Sequence, residues 1–346
     1  MQKVKLGRSD LMVSRYCLGS MTWGGPTSMD AAHRQIDMAV DHGISFIDTA
    51  EIYPITPVRA ETVGRTERII GLWFDKTGHR GDVVIATQHT GGGQRAVRHG
   101  AAITPGTIQT AVEGSLRRLK TEYIDLYQFH WPNRPTYRDR RFEEGEHRPK
   151  VKSVLQNMAD CLGALEAERK RGTIRHFGLS NETAWGMAQW LRLAGAGTGL
   201  RPVAVQNEYS LLCRHHDTDL AELCLNEDVG LIAYAPLALG LLTGKYQGRA
   251  KPPDSRMTLM PDLGGRRTDQ VFAAVDDYLD VALKHDLDVV GMALAFAASR
   301  PFTASVVFGA TTEDQLQRIL SQTELELSAE VLKDIEAVRR AHPMPF

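Results

Sequence analysis

The sequence predicts a single α/β domain: a closed (β/α)8 TIM barrel with an N-terminal β-hairpin cap and long βα loops. Three observations carry this expectation. Eight short apolar runs alternate with helical patterns along the chain, as parallel strands joined by crossover helices do. Most of these runs are continuous rather than alternating, which suits strands covered on both faces. No shift in composition divides the 346 residues, and a barrel of that length needs no second domain. A doubly wound open sheet competes, but eight unbroken repeats favour closure.

The elements follow in order. Residues 4–13 hold Gly7-Arg8-Ser9-Asp10 between apolar neighbours and read as a hairpin plugging the barrel bottom. The first barrel strand spans 15–18. A helix over 29–41 carries Ala31, Ile36, Met38, Ala39 and Val40 and stops at His42-Gly43. Strands at 46–48 and 83–87 come next. Thr104 caps a helix running to Lys120, with Pro105 at its first position, where a missing N–H costs nothing. After the strand at 123–130, residues 154–171 place Leu155, Met158, Leu162 and Leu165 on one side and end at Gly172. Strands at 174–180, 203–208, 230–235 and 305–308 complete the barrel. The remaining helices fit 183–194, 217–226, 268–285, 292–298, 312–321 and 329–340. Three long connections, 54–65, 132–151 and 244–267, follow strand C-terminal ends, the face on which such barrels build sites. Residues 134–152 are dense in charges of both signs and read as a solvated loop or a lid.

Composition excludes several classes. Hydrophobic content of 42% and charged content of 24% are ordinary for a globular chain. A net charge of -1 gives no overall attraction to nucleic acid or an anionic membrane. The opening residues lack an apolar h-region, and no stretch is apolar for long enough to span a bilayer. Cys17, Cys161, Cys213 and Cys224 form no Cys-x-x-Cys pair, so reduced thiols in a cytoplasmic protein are expected. Cys213-Arg214-His215-His216 does not make a metal site, since adjacent side chains rarely converge on one ion. No Gly-x-Ser-x-Gly, Walker loop or His-Glu-x-x-His is present.

Polar residues collect where the strands end: Gly19-Ser20-Met21, Asp48 through Tyr53, Gln88-His89-Thr90, His130-Trp131, Ser180-Asn181-Glu182, Gln206-Asn207-Glu208 and Gly309-Ala310-Thr311-Thr312. Clusters at one end of one barrel mark an active-site face. Here the chain resembles the aldo-keto reductases. The stretches that carry the resemblance are LGSMTWGG at 18–25, FIDTAEIY at 46–53, YIDLYQFHWP at 123–132, IRHFGLSN at 174–181, VQNEYSLL at 205–212, APLALGLLTGKY at 235–246 and VVFGATTEDQL at 306–316. They span essentially the whole chain and are most similar to the bacterial Tas-like members, in the branch of the potassium-channel β subunits.

The resemblance implies an NADP(H) cofactor lying extended across the barrel top, and no Gly-x-Gly-x-x-Gly follows the first strand to suggest a Rossmann cradle. It implies that Gly19, Ser20, Met21 and Asp48 border the cofactor, that Ser180, Asn181 and Gln206 hold the carboxamide, and that Tyr234 stacks on the nicotinamide. Pro236, Leu237, Leu239, Gly240 and Lys245 would meet the pyrophosphate, and Arg256 a phosphate, which a guanidinium suits through paired charged hydrogen bonds. Gly309, Ala310, Thr311 and Gln315 match the adenosine and 2′-phosphate segment at a helix start. Ile319 departs from the family, which has an adenine-contacting asparagine there. Trp23, Tyr53, Trp131 and Tyr137 would line the substrate pocket. The expected partner is a small-molecule substrate, with no nucleic acid and no membrane; a homo-oligomer is compatible with the sequence.

By the same resemblance, Asp48, Tyr53 and His130 match three members of a catalytic tetrad, and Gln88 stands where a lysine is expected. In the family the tyrosine protonates the carbonyl oxygen, the lysine lowers its pKa, and the aspartate holds the lysine. A neutral amide cannot stabilise a phenolate. His89 should face outward if Gln88 faces in, because strand side chains alternate. Asp48, without a cation, must find hydrogen bonds, take up a proton or await a cationic ligand. Three readings follow. One is a reductase of C=N (imine or iminium) or tolerant C=O substrates. Another is an aldehyde or ketone reductase into which a lysine-to-glutamine change was introduced. The third is a nicotinamide-binding sensor or partner subunit with little turnover.

Overall fold

The computed structural model describes residues 1–138, 140–142 and 149–346. The first two strands, β1 (Lys3–Lys5) and β2 (Met12–Ser14), pair as an antiparallel hairpin. Leu6, Leu11 and Val13 pack among Phe46, Ala86 and Leu126, so the hairpin seals the end where the barrel strands begin. Gly7 makes this seal possible. Its φ is +52°, and a Cβ there would lie 2.2 Å from the Val203 carbonyl oxygen, an approach only glycine allows.

The chain continues through β3 (Tyr16–Gly19), β4 (Phe46–Asp48), β5 (Val84–His89) and β6 (Ile124–Phe129). A short hairpin, β7 (Tyr137–Arg138) with β8 (Arg141–Phe142), precedes β9 (Ile174–Ser180), β10 (Pro202–Glu208), β11 (Gly230–Tyr234) and β12 (Thr303–Phe308). Eight of these strands form a closed parallel barrel in chain order, β12 returning to β3. The expected barrel strands are all present, with ends shifted by at most two residues.

Around them lie α1 (Met29–Asp41), α2 (Arg65–Thr77), α3 (Pro105–Leu119), α4 (Val151–Lys170), α5 (Ala184–Gly195) and α6 (Leu220–Glu227). The remaining helices are α7 (Arg256–Leu259), α8 (Asp269–Lys284), α9 (Val289–Ala298), α10 (Glu313–Leu320) and α11 (Ala329–Ala341). Hydroxyl caps start many of them: Ser28, Thr104, Thr183, Thr268, Thr312 and Ser328 each accept a first-turn N–H. Two helices depart from the sequence reading. The short α7 breaks the connection over 244–267. The three-turn α2 was not expected, although Ile69, Ile70, Trp73 and Phe74 bury one face of it. No helix among the described residues is long and apolar enough to cross a membrane.

The barrel interior is layered by the two-residue period of its strands. Phe46, Ala86, Leu126 and Ala204 belong to one buried apolar cluster. Two residues further along the same strands stand Asp48, Gln88, Gln128 and Gln206, none more than 3% exposed. The strand register sets Gln88 directly beside Gln128. The fold thus lays a polar layer on an apolar floor.

Candidate active site

Asp48 is the centre of that layer. It is 2% exposed, and among the described residues no ion pair reaches it. Three glutamine amides replace a cation. Gln206 Nε2 donates to Asp48 Oδ1 at 2.8 Å, Gln88 Nε2 lies 3.1 and 3.2 Å from the two carboxylate oxygens, and Gln128 Nε2 donates at 3.3 Å. Gln88 Nε2 also reaches Gln206 Oε1 at 3.0 Å. Its two hydrogens therefore face three acceptors. Burial pushes the Asp48 carboxyl up to about 7, and the three amides hold it from rising further. Gln88 is fully buried and hydrogen-bonds to Asp48 and Gln206. Gln128 was overlooked in the sequence reading, although it sits two residues beyond an apolar interior position just as Gln88 and Gln206 do.

Tyr53 and His130 stand above Asp48, their rings edge to face with centroids 5.8 Å apart. Burial, then the nearby Asp48 charge, raises the Tyr53 hydroxyl well above its ordinary 10. Burial lowers His130 to about 4, so its imidazole is neutral at pH 7, and its Nδ1 has no protein partner. Trp131 packs beside His130 at 5.0 Å and donates from Nε1 to the Gly92 carbonyl at 3.1 Å. A side chain at Gly91 would collide with that indole at 2.2 Å.

His89 lies on the outer face of β5, where Nε2 meets Thr107 Oγ1 on α3 at 3.2 Å. There it belongs to a second buried group, in which Arg98 pairs with Glu51 and reaches His89 at 3.1 Å. Burial alone would raise the Glu51 carboxyl, but Arg98 and its other partners bring it below the ordinary carboxylate value.

A cavity of about 850 Å³ opens over this layer. Gly19, Ser20, Met21, Asp48, Tyr53, His130 and Trp131 line one part of it. Ser180, Asn181, Gln206 and Tyr234 line the wall beside them. Ser180 Oγ donates to the Gln206 carbonyl at 2.9 Å, and Tyr234 Oη to Asn181 Oδ1 at 2.7 Å. Pro236, Leu237, Leu239, Gly240, Lys245 and Arg256 continue the lining toward Gly309, Ala310, Thr311, Gln315 and Ile319. The Ala238 and Gly240 N–H groups are committed to the Ala235 and Leu237 carbonyls, which narrows the backbone donors expected of this run. Gln315 Oε1 accepts from both Thr311 N and Oγ1. Two expected pocket residues are elsewhere. Trp23 is fully buried, with its indole donating to Gln35 at 2.8 Å. Tyr137 is 44% exposed and packs on His215. Trp23 follows β3 and Tyr137 opens β7, and neither lines the cavity.

The donor set at the far end suits a dinucleotide. Among the described residues neither Lys245 nor Arg256 has a carboxylate partner; Arg256 bonds only Thr56 Oγ1, at 3.3 Å. Burial first, and then its neighbour's charge, lowers Lys245, and burial likewise lowers Arg256. Two partly desolvated cations sharing one wall are relieved by an anion such as a pyrophosphate. The sequence reading missed Arg138, Arg140, Arg266 and Arg318, which also line the cavity, because each arrives from a distant loop or a helix surface. Arg140 and Arg266 share Glu208, and Arg318 pairs with Asp288.

Comparison with known proteins agrees with this geometry. The model of the aldo/keto reductase family matches residues 15–340. Protein tas of Escherichia coli (strain K12) is 42% identical over 350 residues, covering 100% of this chain and 99% of that protein. The uncharacterized oxidoreductase YrpG of Bacillus subtilis (strain 168) is 30% identical, over 96% of this chain and 94% of its own. A probable voltage-gated potassium channel subunit beta of Arabidopsis thaliana is 30% identical, over 99% and 98%. A closed eight-stranded barrel with this polar face, matched over nearly its whole length, belongs to the aldo/keto reductase family of oxidoreductases.

Proposed function

We infer that this chain is an NADP(H)-dependent reductase whose preferred acceptor is a C=N compound, reduced as the iminium cation, with C=O compounds handled less well. The observation that carries the reading is Asp48, ringed by Gln88, Gln128 and Gln206 with no cation among the described residues. Ser180, Asn181 and Gln206 would hold a nicotinamide, which would supply the hydride when bound. Reduction of a carbonyl also needs a proton, and Tyr53 and His130 are poor acids. Tyr53 is held far above neutrality, without the lysine expected at position 88, and His130 is already neutral. An iminium carbon needs no proton at the moment of attack. A carboxylate in the same cavity favours its charge, and the arriving cation in turn draws Asp48 toward its ionised form. Four buried free thiols fit the reducing cytoplasm.

The test is a screen of NADPH oxidation with matched ketones and N-alkylated cyclic iminium compounds, whose charge does not change with pH. Faster turnover of the iminium series supports the reading; faster turnover of the ketones sinks it. A second reading, a dinucleotide-binding protein with little turnover, draws on the weak acid at Tyr53 and on plant relatives named as probable channel subunits. Tight dinucleotide binding with no acceptor reduced would select it.

A further inference from the structure

The connection between β5 and α3 is built as a hinged segment. Gly91, Gly92 and Gly93 open it and Gly100 closes it, so residues 94–99 stand between glycines. Gly93 N donates to the Gly100 carbonyl at 3.0 Å, which joins the two ends in a narrow neck. Both of these glycines hold positive φ, +90° and +83°, a region glycine enters without cost. Within the segment, Arg98 and His99 also lie in the left-handed region, at φ 43° and 55°, where a side chain strains the backbone. A strained segment between glycine hinges keeps its place only if something outside it holds it.

Two side chains do so. Val97 is 6% exposed and joins the buried cluster of Ala50, Ile52 and Tyr53, against which Trp131 also packs. Arg98 reaches the outer face of β5, where it pairs with Glu51 and donates to the Thr90 carbonyl at 2.9 Å. Glu51 is buried, and its other oxygen accepts from Thr90 N, so the anchor is itself fixed. On the cavity side, Gly92, Gly93 and Gln94 line the same space as Tyr53 and Trp131, and the Gly92 carbonyl accepts the Trp131 indole N–H. The segment therefore ties an ion pair behind β5 to the place where an acceptor would meet Tyr53.

We propose that residues 94–99 form a flap at the acceptor end of the cavity, and that Arg98 and Glu51 are the positioning residues that hold it shut. This rests on the reading of the cavity as a hydride-transfer site. Closed, the flap keeps Val97 in the Tyr53 cluster and limits the size of acceptor that reaches the hydroxyl. Open, it swings on Gly91–Gly93 and Gly100 while the barrel stays folded, and it admits bulkier acceptors.

Hydrogen exchange of the full chain tests the latch without turnover. Amides of residues 93–101 should exchange at least about tenfold faster than those of β5 and β6, with little dependence on low urea, the mark of opening without unfolding. Arg98→Gln should speed them about tenfold further, and Arg98→Lys less, since charge survives without the planar fork. His99→Gly acts in the other direction: it removes strain from the closed flap and should slow exchange about threefold. It decides the matter if loss of the buried pair prevents folding. Exchange of 93–101 only together with β5 and β6, rates unmoved by Arg98→Gln, or no slowing in His99→Gly overturns the proposal. The acceptor arm uses NADPH with the N-methyl and N-benzyl dihydroisoquinolinium ions. Arg98→Gln should raise the N-benzyl to N-methyl ratio of kcat/KM about tenfold, chiefly through KM for the larger ion, and His99→Gly should lower it. A ratio unchanged in both variants overturns the flap's role at the acceptor. If neither ion is reduced, the hydride-transfer reading fails instead, and acrylamide quenching of Trp131, identified among the five tryptophans by Trp131→Phe, decides. Faster quenching in Arg98→Gln supports the flap, and equal quenching overturns it.

Discussion

Asp48 changes charge within the working pH range because burial lifts its carboxyl to about 7, against about 3.9 in an unfolded chain. The folded protein therefore holds an extra proton between these values. The stability associated with the protonated carboxyl is complete below about pH 4 and is lost as pH rises to about 7; over the whole span this amounts to roughly 4 kcal/mol. Asp48→Asn should flatten the dependence of urea-unfolding free energy on pH across that window. An unchanged slope would mean that Asp48 is already ionised at pH 4. Gln88→Lys tests the charge from the other side. An ammonium beside Asp48 would restore an ion pair, lower the carboxyl and support a Tyr53 phenolate, while opposing an incoming cation. Iminium turnover should fall and ketone turnover should rise, each about tenfold if the two transition states shift by about 1.4 kcal/mol. A parallel rise in both series would show that position 88 does not select for charge.

Among the elements, the seam between α2 and α3 shows what could and could not be read from the chain. The barrel strands were legible because their apolar runs are continuous. Hydroxyl caps marked many helix starts. The start of α2 carries no such mark: its N-cap is Gly64, in a left-handed conformation with no side-chain bond. The preceding connection ends without a helix-starting signal, and only the spacing of Ile69, Ile70, Trp73 and Phe74 pointed to a helix. The four-residue α7 is too short for any periodicity to reveal. The seam itself is set by Gly71, where a Cβ would lie 2.3 Å from the Arg118 carbonyl oxygen and 2.8 Å from the Leu119 carbonyl carbon. Gly71→Ala gains up to about 1 kcal/mol of helix propensity. It must also push α2 off a backbone that cannot rotate aside, and such overpacking costs about 1–3 kcal/mol. The steric effect should win, giving a net loss of about 1–2 kcal/mol in chemical denaturation. A stabilised Gly71→Ala variant would mean that the two helices are free to separate.

The whole molecule is nearly neutral, at -1, yet its charge is unevenly placed. Arg138, Arg140, Lys245, Arg256, Arg266 and Arg318 line the cavity; Arg140 and Arg266 pair with Glu208 and Arg318 with Asp288, while Lys245 and Arg256 have no carboxylate partner among the described residues. That imbalance was not legible in the composition, nor in local motifs, because closing the barrel brings the ends of distant segments together. Gln128, by contrast, could have been found from strand register alone. A low-dielectric cleft focuses such a field on an anion, and a dinucleotide bearing a further phosphate gains most from it. Arg318 is placed to discriminate: it rises from α10, beside Gln315, and its pair with Asp288 is 47% and 27% exposed. A pair so exposed is worth about 0–1 kcal/mol and is readily exchanged for a 2′-phosphate. Fluorescence titration should therefore show NADPH binding about tenfold more tightly than NADH at low ionic strength, a difference of about 1.4 kcal/mol. Salt above about 0.1 M should narrow the gap, since the screening length falls to about 10 Å. Lys245→Ala should weaken both dinucleotides alike, because both carry the pyrophosphate, whereas Arg318→Gln should bring NADPH down to the affinity of NADH. Equal wild-type affinities at low salt would remove the 2′-phosphate assignment from this end of the cavity. A change in the ratio on Lys245→Ala would move it from α10 to the segment that follows β11.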